Sequence, residues 1–380
     1  MKTGSLRSTA AVFGLAMAAT AALGCSSGPK VGRDESLQKG IETSFGFSGR
    51  RMAVDLGQSG PVRLDAGKTM LQGDFLILIA APNHIEVLNR DSLMADWAYH
   101  ALPGDLRYAP TQNGLSMLVM SMNELHQIDL GYGHAGAAIH YDMSPSSAFG
   151  ASAGTAYVPA WGGASGEKTL RTLNLVTGLE GWGYRTPGDI RGGVIVGGQP
   201  PRQTVYFATD AGQVYGMPAA EASARGPEVS WVCETRGPVT APLCLEGEEL
   251  FAASHSGFLY CMDRVTGNVK WAAPHETPLE WAPVATKGFV YQVRAGEMWC
   301  HERATGKVLW KLQGALRLVV ERDGKAVVEA GSELWSVNAA GKVTGKMAMG
   351  GMYFPTNLRD DSIYAVSKDG FVVKLEKGGE

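Results

Sequence analysis

Short apolar runs cut by turn residues make up most of this chain. Runs such as Gly257-Phe-Leu-Tyr260 and Gly296-Glu-Met-Trp299 each lead into a frame of eleven residues. The two clearest copies are Cys261-Met-Asp-Arg-Val-Thr-Gly-Asn-Val-Lys-Trp271 and Cys300-His-Glu-Arg-Ala-Thr-Gly-Lys-Val-Leu-Trp310. An acidic residue stands third, Thr-Gly in the middle and Trp last. The frame returns at Thr172–Trp182 and, blurred, at Val87–Trp97. This pattern predicts a hairpin. An apolar strand ends at an Asx-type residue that can bond its own backbone, and Thr-Gly supplies the turn. The second strand closes on a Trp large enough to wedge between neighbouring sheets. Outside the N-terminus, no stretch of more than about a dozen residues has helical periodicity.

The repeats set the fold class. The Trp slot falls at Trp97, near His140, at Trp182, Trp231, Trp271 and Trp310, and near Met347. A period of about 40 residues with four short strands per unit predicts an all-β protein, a β-propeller. A second marker keeps the same phase: Tyr108-Ala-Pro-Thr, Thr240-Ala-Pro-Leu, Trp281-Ala-Pro-Val and Tyr353-Phe-Pro-Thr. It falls where the innermost strand belongs, a sheet edge on which Pro is tolerated. Seven units are complete, and Tyr353 to about Leu375 supplies three strands of an eighth. Arg51-Met-Ala-Val-Asp-Leu56 is a spare strand that would close the ring without open edges. The expectation is eight four-stranded blades. Seven is the alternative, because unit four carries an insertion around Pro218–Arg225 and unit seven lacks a turn residue.

The N-terminus changes the picture of where the propeller works. Residues 1–24 have the form of an export leader, with Lys2 and Arg7 ahead of an apolar run from about Ala10 to Leu23. The run ends at Ala22-Leu-Gly-Cys25, a lipobox-like sequence that predicts lipidation of Cys25. Two or more acyl chains on one residue would anchor the protein stably. Residues 25–44 are polar and non-periodic and are expected to be a tether; 45–380 would be the propeller. Ser26 after the Cys resembles the outer-membrane sorting choice of Gram-negative lipoproteins, which implies a place on the outer membrane facing the periplasm. The formal charge of −3 becomes −5 once Lys2 and Arg7 leave with the leader, so no nucleic-acid partner is expected.

Chemistry is sparse. Trp97, Trp182, Trp231, Trp271 and Trp310 share the repeat phase, so they are assigned to docking between blades. Cys233, Cys244, Cys261 and Cys300 could pair in an oxidising compartment. Yet Cys261 and Cys300 hold equivalent positions in neighbouring units, too far apart for a bond. Buried apolar roles are expected instead. His134, His140 and Asp142 lie close in sequence but form a thin ligand set. The methionines Met117, Met120, Met122, Met347 and Met352 fit strand cores better than a soft-metal site. No catalytic, cofactor-binding or metal-binding residues are assigned.

The eleven-residue frame resembles the tryptophan-docking repeat of PQQ-like, quinoprotein-type propellers. The resemblance implies one of two roles. Quinone-dependent dehydrogenases are longer, and many use a vicinal Cys-Cys ring with calcium; this chain has no adjacent cysteines, so PQQ is not expected as a cofactor. BamB-type lipoproteins of outer-membrane β-barrel assembly are similar in length, lipid anchor and blade number. That likeness implies a non-enzymatic scaffold whose partners are proteins, with a quinone-dependent oxidoreductase or a ligand- or glycan-sensing propeller as the alternatives.

Overall fold

The computed structural model describes residues 51–55, 63–64, 70–81, 84–104, 106, 108–142, 144–152, 154–162, 167–322, 324–348 and 350–376. Every regular element among them is a strand, and the strands form eight sheets. The sheets are the blades of a propeller. Blade 1 runs from Arg63 to Tyr99, blade 2 from Thr111 to His140, blade 3 from Ser144 to Arg185 and blade 4 from Val194 to Glu234. Blade 5 spans Cys244–Pro274, blade 6 Val284–Gln313 and blade 7 Arg317–Ala348. Blade 8 takes Met352–Tyr353, Ile363–Ser367 and Phe371–Leu375 from the C-terminus. Its fourth strand is Arg51–Asp55, in antiparallel register from Arg51↔Leu375 to Asp55↔Phe371. The eight-blade count and the closure expected from the spare strand both hold.

There is no single core. Among the described residues, eight apolar clusters lie one in each seam between adjacent blades. The middle strands, such as Glu249–Ser254 and Phe258–Asp263, are therefore buried on both faces and read as continuous apolar runs. Outer strands face a neighbour on one side only and alternate, as Val308–Gln313 does.

The frame explains how one blade grips the next. Asp263 caps the turn by accepting from the Val265 and Thr266 amides at 3.0 and 2.9 Å, and Gly267 N–H donates to the Asp263 carbonyl at 2.8 Å. A register shift at Cys261/Met262, repeated at Cys300/His301, twists the outer strand over the neighbouring blade. Trp271 then lies on Gly306, in the turn of blade 6. Its indole N–H donates to the Arg303 carbonyl at 2.9 Å. Gly306 has φ +73°, and a Cβ there would sit 2.6 Å from the indole. The position accepts only glycine twice over, for backbone conformation and for space. The same pairing joins Trp97 to Gly133, Trp231 to Gly267 and Trp310 to Gly341, whereas Trp182 meets Gly226 in ordinary contact at 3.4 Å. The unit-four insertion is itself a docking surface: Trp182 donates to Glu221 O at 3.1 Å, and the Tyr157 hydroxyl to Ala220 O at 2.9 Å.

Two slots are corrected. The eleven-residue frame runs through blade 2 as Gln127–Ala137, so the position of the docking Trp is Ala137, not the neighbourhood of His140. In blade 7, Ser336 pairs with Gly345, as Cys300 pairs with Trp310, so that slot is Gly345 and not near Met347. Met347 instead packs in the seam between blades 7 and 8. Both replacements are too small to dock, so no large side chain marks the register there.

Candidate functional site

Each blade's outermost strand ends on the rim from which the chain crosses to the innermost strand of the next blade. The crossovers following blades 3, 4 and 5 (Thr186–Gly193, Thr235–Leu243, His275–Pro283) are long, whereas the one after blade 6 is only Gly314–Leu316. The first two begin alike: the Thr186 and Thr235 hydroxyls donate to the Gly188 and Gly237 carbonyls, each at 2.8 Å. Ile190, Val239 and Leu279 are buried and pin the three loops to the blades. Outside, these loops leave Arg191 and Arg236, the carboxylates of Glu276 and Glu280, and Trp281.

Arg191 is the clearest case. Its side chain is 59% exposed, yet its guanidinium is held by Asp210 at 3.1 Å and Asp189 at 3.3 Å. Asp210 also accepts from the Asp189 amide at 2.8 Å, which fixes the pair of carboxylates. Arg236 lies 4.5 Å over the Phe258 ring. Arg294 lies 4.5 Å over Trp299 and reaches Glu297 at 3.4 Å. Braced in this way, an arginine loses little rotamer freedom when it meets a carboxylate.

Trp281, 62% exposed, stands at the mouth of a cleft of about 390 Å³ between blades 6 and 7. Val284, Tyr291, Met298, Leu316 and Leu318 line it. Arg317, paired with Glu329 and 4.2 Å over Tyr353, makes its polar edge. A second cavity, of about 620 Å³, draws residues from blades 1, 5, 6 and 8: Leu71, Arg90, Leu245, Val284, Leu358 and Arg359. Blades 1 and 5 face each other across a ring of eight, so this cavity lies on the channel axis, towards the opposite rim. Cys244 also lines it, and burial pushes its thiol up to about 11.

Beneath the braced rim is a buried pair of histidines. His275 stacks on Trp299 at 4.3 Å, with His301 at 5.2 Å. Among the described residues, neither ring nitrogen of His275 has a hydrogen-bond partner. Burial, then His301, Arg294 and Lys311, pull its pKa down to about 3. His301 binds the Gly306 carbonyl through Nδ1 at 3.0 Å and is likewise lowered by burial. His275 replaces the threonine that opens the other two crossovers, the one signal in the sequence that could have singled it out.

The other candidates are dispersed. Cys233, Cys244, Cys261 and Cys300 are free, and burial raises the Cys261 and Cys300 thiols to about 12. His134 and His140 share the wall of one cavity, while Asp142 is not among its lining residues. Met117 and Met120 are buried and Met122 is exposed. Among the described residues no three His, Cys, Asp or Glu side chains are grouped to hold a metal. Cys25 lies outside the described residues.

Comparison with known proteins adds a family likeness. The family model described as outer membrane protein assembly factor BamB matches residues 146–312, which fall in blades 3 to 6. Among solved structures, BamB from Moraxella catarrhalis matches with a TM-score of 0.64 at 18% identity, over 86% of this chain and 100% of that one. A computationally designed protein, Ika8, matches with a TM-score of 0.58 at 13% identity, over 83% and 96%. No curated protein matches the sequence. At these identities the structural likenesses establish the fold. The central blades resemble BamB in sequence, within a propeller that resembles BamB in shape.

Proposed function

We propose that this chain is a lipid-anchored, non-enzymatic scaffold of the cell envelope that holds a protein component of outer-membrane β-barrel assembly. One coincidence carries the reading. The BamB family match covers blades 3 to 6, and those blades present Arg191, Arg236 and Trp281 on the crossover rim. Arginine and tryptophan are the side chains that most often anchor protein interfaces. The partner surface would offer carboxylates to the braced guanidiniums and an apolar knob to the cleft beside Trp281. Cys25 would carry the lipid, residues 26–44 would tether the disc to the outer membrane's periplasmic face, and no cofactor enters the reading.

The test is affinity capture of the full-length protein from its own membranes, with co-purifying proteins identified by mass spectrometry. Recovery of a large outer-membrane β-barrel with accessory lipoproteins is the expected result. The double variant Arg191→Ala/Trp281→Ala should lose that barrel while its Tm stays within about 2 °C of the parent. A cytochrome or quinone-linked protein in place of the barrel would overturn the reading.

A further inference from the structure

The seam between blades 2 and 3 has kept one half of the tryptophan dock and lost the other. On blade 3 the receiving half is intact. Asn174 caps its turn, accepting from the Val176 and Thr177 amides at 2.9 and 2.8 Å. Gly178 donates to the Asn174 carbonyl at 2.9 Å and has φ +72°, close to the +73° of Gly306 beneath Trp271. In three of the filled seams the indole N–H donates to the residue after the capping Asp or Glu, namely Leu130, Arg264 and Arg303. The equivalent residue here is Leu175.

On blade 2 the donor half is missing. Ala137 stands where the ring should project, and Gly136 to Ala138 are exposed. Among the described residues, only Ile139, with its Cγ2 at 3.3 Å, approaches the point where a Cβ on Gly178 would lie. A cavity of about 620 Å³ occupies the vacated place, walled by Gln127, Asp129, Ala137, Leu175, Val176 and Gly178. That size is within the usual range for ligand pockets, roughly 300–1,000 Å³.

We propose that this cavity binds a tryptophan side chain carried on an extended segment of another protein. The molecule itself shows what fits, because elsewhere an indole rests on such a turn glycine and donates its N–H to the turn carbonyl. An extended segment is indicated by the edge beside the cavity. Blade 2's outer strand is regular over Ile139–His140 only, with one isolated bridge at Ala135 before it, and the small residues between would let another backbone approach. Val176, 86% exposed, and Leu179, 68% exposed, form an apolar lip that such a segment would cover. This inference does not depend on a role in barrel assembly.

The probe is a blocked pentapeptide, Thr-Val-Trp-Val-Thr, with 5-fluorotryptophan at its centre, titrated with the full-length protein and followed by ¹⁹F NMR. Saturable binding is expected, and a matching peptide with Ala in place of Trp should compete at least tenfold less well. Ala137→Trp supplies the missing ring in cis, so it should raise Tm and weaken peptide binding at least tenfold. Ala137→Leu, a smaller filler, should weaken it in the same direction if the larger ring prevents folding. Ala137→Ser should bind as the parent does. Equal competition by the Ala peptide, or undiminished binding in both filled variants, would overturn the proposal. If N-acetyltryptophanamide bound as tightly as the peptide, the slot would be a site for free indole compounds and the polypeptide partner would be ruled out.

Discussion

The seams between blades 5 and 6 and between blades 8 and 1 do the same job with different chemistry. In the first, one blade's Trp271 reaches over Gly306 of the next, and the contact is made by two neighbouring repeats. In the second, the glycine position of blade 1's turn is Leu93, held at φ 54° and buried. Leu93 packs the opposite way, towards Tyr364, Val366 and Val372 of blade 8. Charge completes this seam. Arg90, 4% exposed, binds Asn357 at 2.5 Å, Asp360 at 3.0 Å and the Tyr364 hydroxyl at 3.1 Å. Lys374, buried under the same ring, reaches Glu376 at 2.8 Å and Asp91 at 3.4 Å. A repeated seam can rely on one large ring and one small gap. A seam built from the two chain ends meets once, and directional polar pairs give it a specific register at the cost of desolvation.

The comparison can be broken most sharply at the glycine. Gly306→Val should cost about 3–4 kcal/mol by chemical denaturation, through positive φ and overlap with Trp271. Gly331→Ala, at φ +63° with open space around it, should cost about 1 kcal/mol. Equal losses would mean that the indole contact is not what the glycine serves.

Arg90→Met tests the charged seam. It removes the guanidinium from Asn357 and Asp360, which keep each other and the Arg359 and Ser362 amides, and should cost about 2–3 kcal/mol, an amount reduced because Asp360 is partly exposed. The loss should be read from denaturation midpoints at low and high salt. A deficit that vanished in 1 M salt would mark a surface pair and not a buried one.

Acid should act on the tryptophan side of the comparison, through His275 beneath blade 6. Its native pKa of about 3 lies below the ordinary value of 6.5, so below pH 6.5 the unfolded chain takes a proton that the folded one excludes. Stability is unaffected above pH 6.5 and falls as pH drops towards 3, by on the order of 2–3 kcal/mol at pH 4. His275→Thr, which installs the residue found at the other crossovers, should flatten the Tm–pH curve in that window. His301 and His126, lowered in the same direction, would leave a residual slope. An unchanged slope would show that folding does not lower the His275 pKa. A small effect is expected of Trp271→Phe, which removes the bond to Arg303 O and should cost about 1–2 kcal/mol in thermal or urea unfolding.

The same contrast separates what the sequence announces from what it hides. Trp97, Trp182, Trp271 and Trp310 mark their seams because a large ring at a fixed distance from Thr-Gly or its equivalent is conspicuous, and Trp231 keeps the phase despite the unit-four insertion. Blade 2 carries the frame as well, but with Ala137 for Trp and Tyr132 for Thr, so only Asp129 and Gly133 keep its spacing. Gly133 makes sense once Trp97 is seen lying on it. Arg90 and Asn357 are 267 positions apart, and nothing local in either segment points to the other. The braced rim was hidden for a similar reason. Arg191 is an ordinary exposed arginine until the fold brings Asp210 beside it.

The closing strand also makes the disc a mechanical element. Any tension on the chain upstream of Arg51 is delivered to five residue pairs between Arg51–Asp55 and Phe371–Leu375. A pull along that strand loads the ladder in shear, so its hydrogen bonds share the force and do not open one at a time. The ring would then fail by slipping its first strand while the other seven blades stayed docked, and it could re-latch when the load was released.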